Sequence, residues 1–189
     1  MGRTSIYAIL GATLLAAPAI AQETPTVDAI KARDALICGV STGTSIGMST
    51  LDDAGNWAGL EVDYCRAVAA AILGDGGKLN FTPLEFKNAF AALQSSSVDI
   101  LARSATWTFT RDVDLKFEFD GVNYYDGQGF MVRKSLGVTS ALQLGGAAVC
   151  TNTGTTTELN VADYFRANNM KFEVVAFEKS DEVVAAYDK

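Results

Sequence analysis

A chain of 189 residues with 49% apolar and 20% charged residues can bury a core of its own, as one globular domain or one and a half small lobes. Its net charge of −7 argues against nucleic acid or an anionic membrane surface as a partner. Histidine is absent, which removes histidine triads, histidine metal sites and the usual neutral-pH general base together.

Residues 1–21 read as a secretory signal peptide. Arg3 supplies the positive start, residues 6–17 form an apolar run too short to span a bilayer, and Ala19-Ile20-Ala21 has the small-x-small cleavage pattern. The mature chain is expected to begin at Gln22 and to work outside the cytoplasm, where disulfides persist.

Residues 26–33 alternate at helical spacing and predict a short lead-in helix. Residues 36–40 form a compact apolar run, a first buried strand. Residues 41–59 read as a polar, Gly-rich loop in which Asp52-Asp53-Ala54-Gly55-Asn56 reverses the chain. The clearest helix covers residues 60–73, with Leu60, Tyr64, Cys65, Val68, Ala69, Ile72 and Leu73 on one stripe and Gly74 as its stop. A second strand is predicted over 79–84, a second helix over 88–94 and a third strand over 98–102. Strand–helix alternation with short connections argues for an α/β fold with a largely parallel sheet.

Directly after the third strand, Ser104-Ala105-Thr106-Trp107-Thr108-Phe109-Thr110-Arg111 packs four hydroxyls, one indole and one guanidinium into eight residues. Such a loop offers several hydrogen-bonding groups and one planar fork suited to a carboxylate. Residues 117–119, 122–125 and 127–133 then read as strand-like. A new unit begins near Lys134, with a strand at 147–150. The spacing Thr155-Thr156-Thr157-Glu158 is that of a capping box, with Thr155 as N-cap. A strand over 172–177 and a helix from Ser180 follow, and that helix reaches Lys189 without a stop signal.

Three cysteines in an exported chain leave one unpaired. Cys38 on the first strand and Cys65 on the first long helix belong to one βα unit and are expected to be bonded, leaving Cys150 over.

Four blocks, taken together, resemble the extracytoplasmic solute-binding proteins of polar amino acid ABC transporters. They are Gly55 to Asp63 (GNWAGLEVD), Ala92-Leu93-Gln94-Ser95 with Val98-Asp99, Thr106 to Arg111, and Gly154 to Glu158 (GTTTE). Residues 122–134 and 162–170 make the general L-amino-acid-binding subfamily the nearest match. The resemblance covers essentially the whole mature chain and rests on the order and spacing of the blocks.

It implies a type II periplasmic binding protein, two α/β lobes that enclose an amino acid across a two-strand hinge. Lobe one would cover residues 22–133, with the hinge near 130–134, and lobe two would begin with 134–189. Relatives are longer and return to lobe one, so the sequence reads as an N-terminal part: lobe one nearly complete, lobe two truncated. On its own, that part is expected to bind poorly.

By the same resemblance Arg111 grips the ligand α-carboxylate and Thr106 contacts ligand from the same loop, which also carries Ser104 and Thr108. Thr155 and Thr156 open a helix on the other lobe, where free N–H groups favour a carboxylate. Plain capping by Thr155 is compatible with a ligand contact by Thr156. Asp63 stands either near the cleft mouth or as a first-turn helix charge. Trp57 and Trp107 either wall the side-chain pocket or pack in the core. The acidic group that holds the ligand ammonium in relatives would lie beyond Lys189, as would a partner for Cys150.

The function implied is delivery of an L-amino acid, acidic and amide types included, to an inner-membrane ABC permease by a monomer that needs no cofactor. A cyclohexadienyl dehydratase-like enzyme on the same fold is the alternative, and it would need an acid–base pair in the cleft. A receptor ligand-binding domain is the third possibility.

Overall fold

The computed structural model describes residues 24–189, so the predicted signal peptide lies outside the described residues. Helix α1 (Pro25–Arg33) starts with Pro in its first turn, where the missing N–H costs nothing. It ends at Asp34 in the left-handed conformation (φ 56°). The chain then enters β1 (Leu36–Val40), which is the centre of a parallel sheet ordered β5-β1-β6, with β5 at Leu79–Pro83 and β6 at Ile100–Leu101. Leu36 faces Leu79 and Val40 faces Pro83, while Cys38 faces Phe81 on one side and Ile100 on the other.

Helix α2 (Leu60–Leu73) covers this sheet and stops at Gly74, whose φ of 74° any side chain would strain. The buried face of α2 is Glu61, Val62, Cys65 and Ala69. It lies to one side of the apolar stripe, so Leu60, predicted to face inward, is exposed. Ile30, Leu36, Cys38, Val40, Cys65, Ala69 and Ala102 form the first core, and Trp57 packs against it. Full burial of each larger aliphatic side chain contributes roughly 1.5–3 kcal/mol. Cys38 and Cys65 are joined by a disulfide, and Cys150 is free.

Residues 41–59 differ from the loop expected. They hold a small antiparallel sheet, β2 (Thr44–Ser45), β3 (Ser49–Leu51) and β4 (Trp57–Ala58). Three strands of two or three mostly polar residues leave no periodicity to read. The reversal at Asp52 is as expected: its carboxylate accepts from Ala54 N at 3.0 Å and Asn56 N at 2.7 Å.

Helix α3 (Phe86–Gln94) leads to β6. Although β6 is shorter than the strand predicted, Asp99 N donates to Ile37 O and Ala102 N to Gly39 O, which extend the pairing at both ends. Residues 117–119, 122–125 and 127–133, read as strand-like, pair with no strand among the described residues. Tyr125 and Met131 are exposed there. Pairing depends on a neighbour elsewhere in space, which apolar β-formers cannot supply themselves.

The second core is Leu144, Val161 and Phe165, between a parallel pair β7 (Ala147–Asn152) and β8 (Phe172–Phe177) and helix α4 (Thr156–Ala167). Phe130 and Val132 pack on this second core, ahead of the boundary expected near Lys134. Helix α5 (Ser180–Asp188) packs on β7 and β8. Among the described residues no helix is long and apolar enough to cross a membrane.

Candidate functional site

The loop after β6 folds back on itself through Arg111. Residues Thr110–Asp114 form one π-helical turn, and Arg111, on it, is buried. The guanidinium lies over the rings of Phe86 and Phe90, 5.0 and 4.8 Å from their centroids, and Nη1 donates to Thr106 O at 2.7 Å. Cation–π contact with two rings on α3 fixes the plane of the fork. Among the described residues the guanidinium makes no other hydrogen bond, so Nε and Nη2 remain free to donate. Burial pulls its pKa below the ordinary arginine range, which still leaves it charged at neutral pH.

Thr106 is where the two cores meet. Its hydroxyl is 3.2 Å from the hydroxyl of Thr156, the first residue of α4. Thr155 is the N-cap, as predicted: Oγ1 accepts from Glu158 N at 3.1 Å and donates to Asn152 O at 2.7 Å. A cap of this kind contributes about 1 kcal/mol. The Glu158 carboxylate accepts from Gly154 N at 2.8 Å, one residue before the position a capping box uses. With the Thr155 hydroxyl committed to the backbone, Thr156 is the one of the pair that reaches across to Thr106.

Gln128 ties the crossover to α4, donating to Thr157 O at 3.1 Å and accepting from Asn160 Nδ2 at 3.0 Å. Lys87 on α3 pairs with Glu178 after β8, and its ammonium holds that carboxyl below the usual range.

A cavity of about 500 Å³ opens beside Thr106, with Glu61, Arg103, Ser104, Thr106 and Trp107 in its wall; Arg111, Thr155 and Thr156 do not line it. Arg111 reaches that wall through Thr106. Trp107 stacks on Phe119 at 5.3 Å and its indole donates to Asp112 at 2.7 Å, so of the two tryptophans this one faces the cavity and Trp57 belongs to the first core. A second cavity of about 520 Å³, with Phe90, Leu93, Ile100 and Phe117 in its wall, holds none of the predicted site residues.

Three of the residues named from the sequence bond to neighbouring parts of the protein. Asp63 is exposed on α2 and pairs with Arg66 at 2.8 Å, away from Thr106 and Thr156, as the first-turn reading has it. The Ser104 hydroxyl donates to Glu61 Oε1 at 2.6 Å. Thr108 Oγ1 accepts from Arg111 N at 3.3 Å and so serves the π-helical turn. Glu61, which sequence reasoning passed over, is buried and lies in the cavity wall. No group of three acidic, cysteine or histidine side chains able to hold a metal occurs among the described residues.

The arrangement can present a charged fork, two hydroxyls and a helix N-terminus to a small anionic group. Residues 36–189 match the profile of the bacterial extracellular solute-binding proteins, family 3. The chain is 52% identical over 183 residues to the general L-amino acid-binding periplasmic protein AapJ of Rhizobium johnstonii, covering 97% of this chain and 53% of the relative. It is 52% identical over 169 residues to the glutamate/glutamine/aspartate/asparagine-binding protein BztA of Rhodobacter capsulatus, covering 89% and 50%. A solved ABC transporter periplasmic binding protein from Brucella ovis with glutathione bound is 54% identical with a TM-score of 0.84, over 88% of this chain and 52% of that one. The chain spans about half the length of these relatives.

Proposed function

The chain belongs to the bacterial extracellular solute-binding proteins of family 3, an extracytoplasmic family, and on that premise we propose that it is the substrate-binding part of an amino acid ABC transporter. The ligand is an L-amino acid held between two lobes, built on the two cores, and handed to an inner-membrane permease by a monomer. The observation that carries this reading is the buried Arg111 fork, aimed by two aromatic rings and linked through Thr106 to Thr156 at the start of α4.

Arg111 and Thr106 take the α-carboxylate from one side, and Thr156 with the free N–H groups of α4 from the other. Acidic and amide side chains fit the range named for the Rhodobacter relative. Glutathione, bound in the Brucella relative, also ends in a free α-amino acid group, so the same fork would receive it. Residues 1–21 are the export leader in this reading. Intact-mass measurement of exported protein is expected to give a mature start at Gln22, and a retained leader on an exported product would exclude that cleavage site.

Calorimetry on the product of the reading frame, carried to its natural stop, tests the ligand class. L-Glutamate, L-glutamine, L-aspartate, L-asparagine, an aliphatic L-amino acid and glutathione form the panel, with prephenate and arogenate turnover measured beside them. Heat of binding with L-amino acids and no turnover is expected. Turnover of either cyclohexadienyl acid would make the protein an enzyme.

A further inference from the structure

We propose that Glu61 is a positioning residue, a buried brace that locks the Ser104–Thr106 turn and thereby sets the ligand-binding geometry. The inference rests on the ligand site described above. Glu61 is 3% exposed, yet its carboxylate bonds to two distant segments of the chain. Oε2 accepts from Ser49 Oγ at 3.0 Å, and Ser49 is itself 2.5 Å from Ser41 Oγ. Oε1 accepts from both the hydroxyl (2.6 Å) and the backbone N–H of Ser104.

Ser104 has a φ of 39°, in the left-handed region. A residue other than glycine stays there only where its surroundings over-determine it. The paired acceptance by Glu61 does that, and two residues on is Thr106, whose carbonyl receives Arg111.

The brace needs a fixed anchor, and the start of α2 is one. Leu60 N donates to Gly47 O and Glu61 N to Met48 O, each at 3.0 Å. Gly59 (φ 126°) passes so close that a Cβ would come 2.3 Å from Met48 O. The negative charge also lies in the first turn of α2, where the helix dipole favours it, with the Arg103 guanidinium nearby. Position along the helix decides which acid takes the part. Two residues advance the helix by about 200°, so Glu61 faces inward and Asp63 outward.

What the brace requires is an acceptor, not a charge. In Glu61→Gln, Oε1 can keep both Ser104 donors while Nε2 donates to Ser49, whose own hydrogen turns to Ser41. In Glu61→Ala, both are lost. The test is amide exchange by NMR on the product of the same reading frame. Glu61→Ala is expected to speed exchange at Ser104 about tenfold or more. The Leu36 and Leu84 amides, which pair with Lys78 O and Val40 O in the sheet, are expected to stay protected. Glu61→Gln is expected to restore Ser104, and amino acid affinity should follow the same order. Unchanged exchange at Ser104 in Glu61→Ala would overturn the brace. So would equal acceleration across the sheet, or no recovery in Glu61→Gln. If Ser104 responds as expected while affinity for the amino acid panel does not, the brace stands and the placement of ligand on this loop falls.

Discussion

Replacing Arg111 with Ala is expected to weaken every α-amino acid alike, by roughly thirtyfold to a few thousandfold. The carboxylate is common to all of them, and losing one partner of a buried charged pair costs about 2–5 kcal/mol. Two features raise the expectation above that of a surface arginine. The rings of Phe86 and Phe90 hold the guanidinium in one orientation, so little freedom remains to be lost on binding. Its one acceptor among the described residues, Thr106 O, leaves two donor groups for the ligand. Arg111→Lys separates loop support from ligand grip. A lysine could still reach Thr106 O, but it lacks the two parallel donors, so the fold should melt near the parent temperature while binding stays poor. Calorimetry with the same ligand panel reads both variants. Affinity unchanged in Arg111→Ala would place the carboxylate elsewhere. Weakening confined to acidic ligands would assign Arg111 to the side-chain pocket instead. Between pH 5 and 9 the grip should not titrate, because a guanidinium stays protonated across that window even where burial lowers its pKa.

How far the sequence told this in advance differs from element to element. Helix α2 was legible because its stripe and Gly74 are local signals, and so were the β1 and β8 runs of apolar residues. The cap at Thr155 was legible for the same reason, since both partners lie within three residues. The hairpins of residues 44–58 were not, because their strands are too short for alternation to show. The π-helical turn that carries Arg111 has no residue signature at all.

At the site, the residue type and the loop could be read, and the partners could not. Arg111 announces a fork for a carboxylate, but Phe86 and Phe90 lie 25 and 21 residues before it in the chain. Glu61 stands in the first turn of α2. Its acceptor role depends on Ser49 and Ser104, 12 and 43 residues away. Asp63, left open between the cleft mouth and a first-turn charge, is the first-turn charge, two residues along from Glu61 and on the opposite face.

Removing the Cys38–Cys65 bridge is expected to cost about 3–4 kcal/mol of stability, the loop-closure entropy for a separation of 27 residues. In a domain of this size that is on the order of a 10 °C fall in Tm. The position of the bridge makes the loss felt in the first core. Cys38 is on the central strand, between Phe81 and Ile100, and Cys65 is on the buried face of α2, so the bond staples the helix to the middle of the sheet. Both residues are wholly buried, so a Cys38→Ala/Cys65→Ala variant also leaves two small gaps in packed surroundings. Urea unfolding of the parent and the double variant under oxidising conditions measures the difference. Thiol counting on the denatured parent is expected to find Cys150 as the reactive group among the three cysteines of this chain, and peptide mapping should recover Cys38 joined to Cys65. A Cys150 bond to either partner would contradict the packing of β1 against α2, since Cys150 lies on β7 beside the other core. An unchanged unfolding midpoint in the double variant would show instead that helix packing alone holds α2 to the sheet.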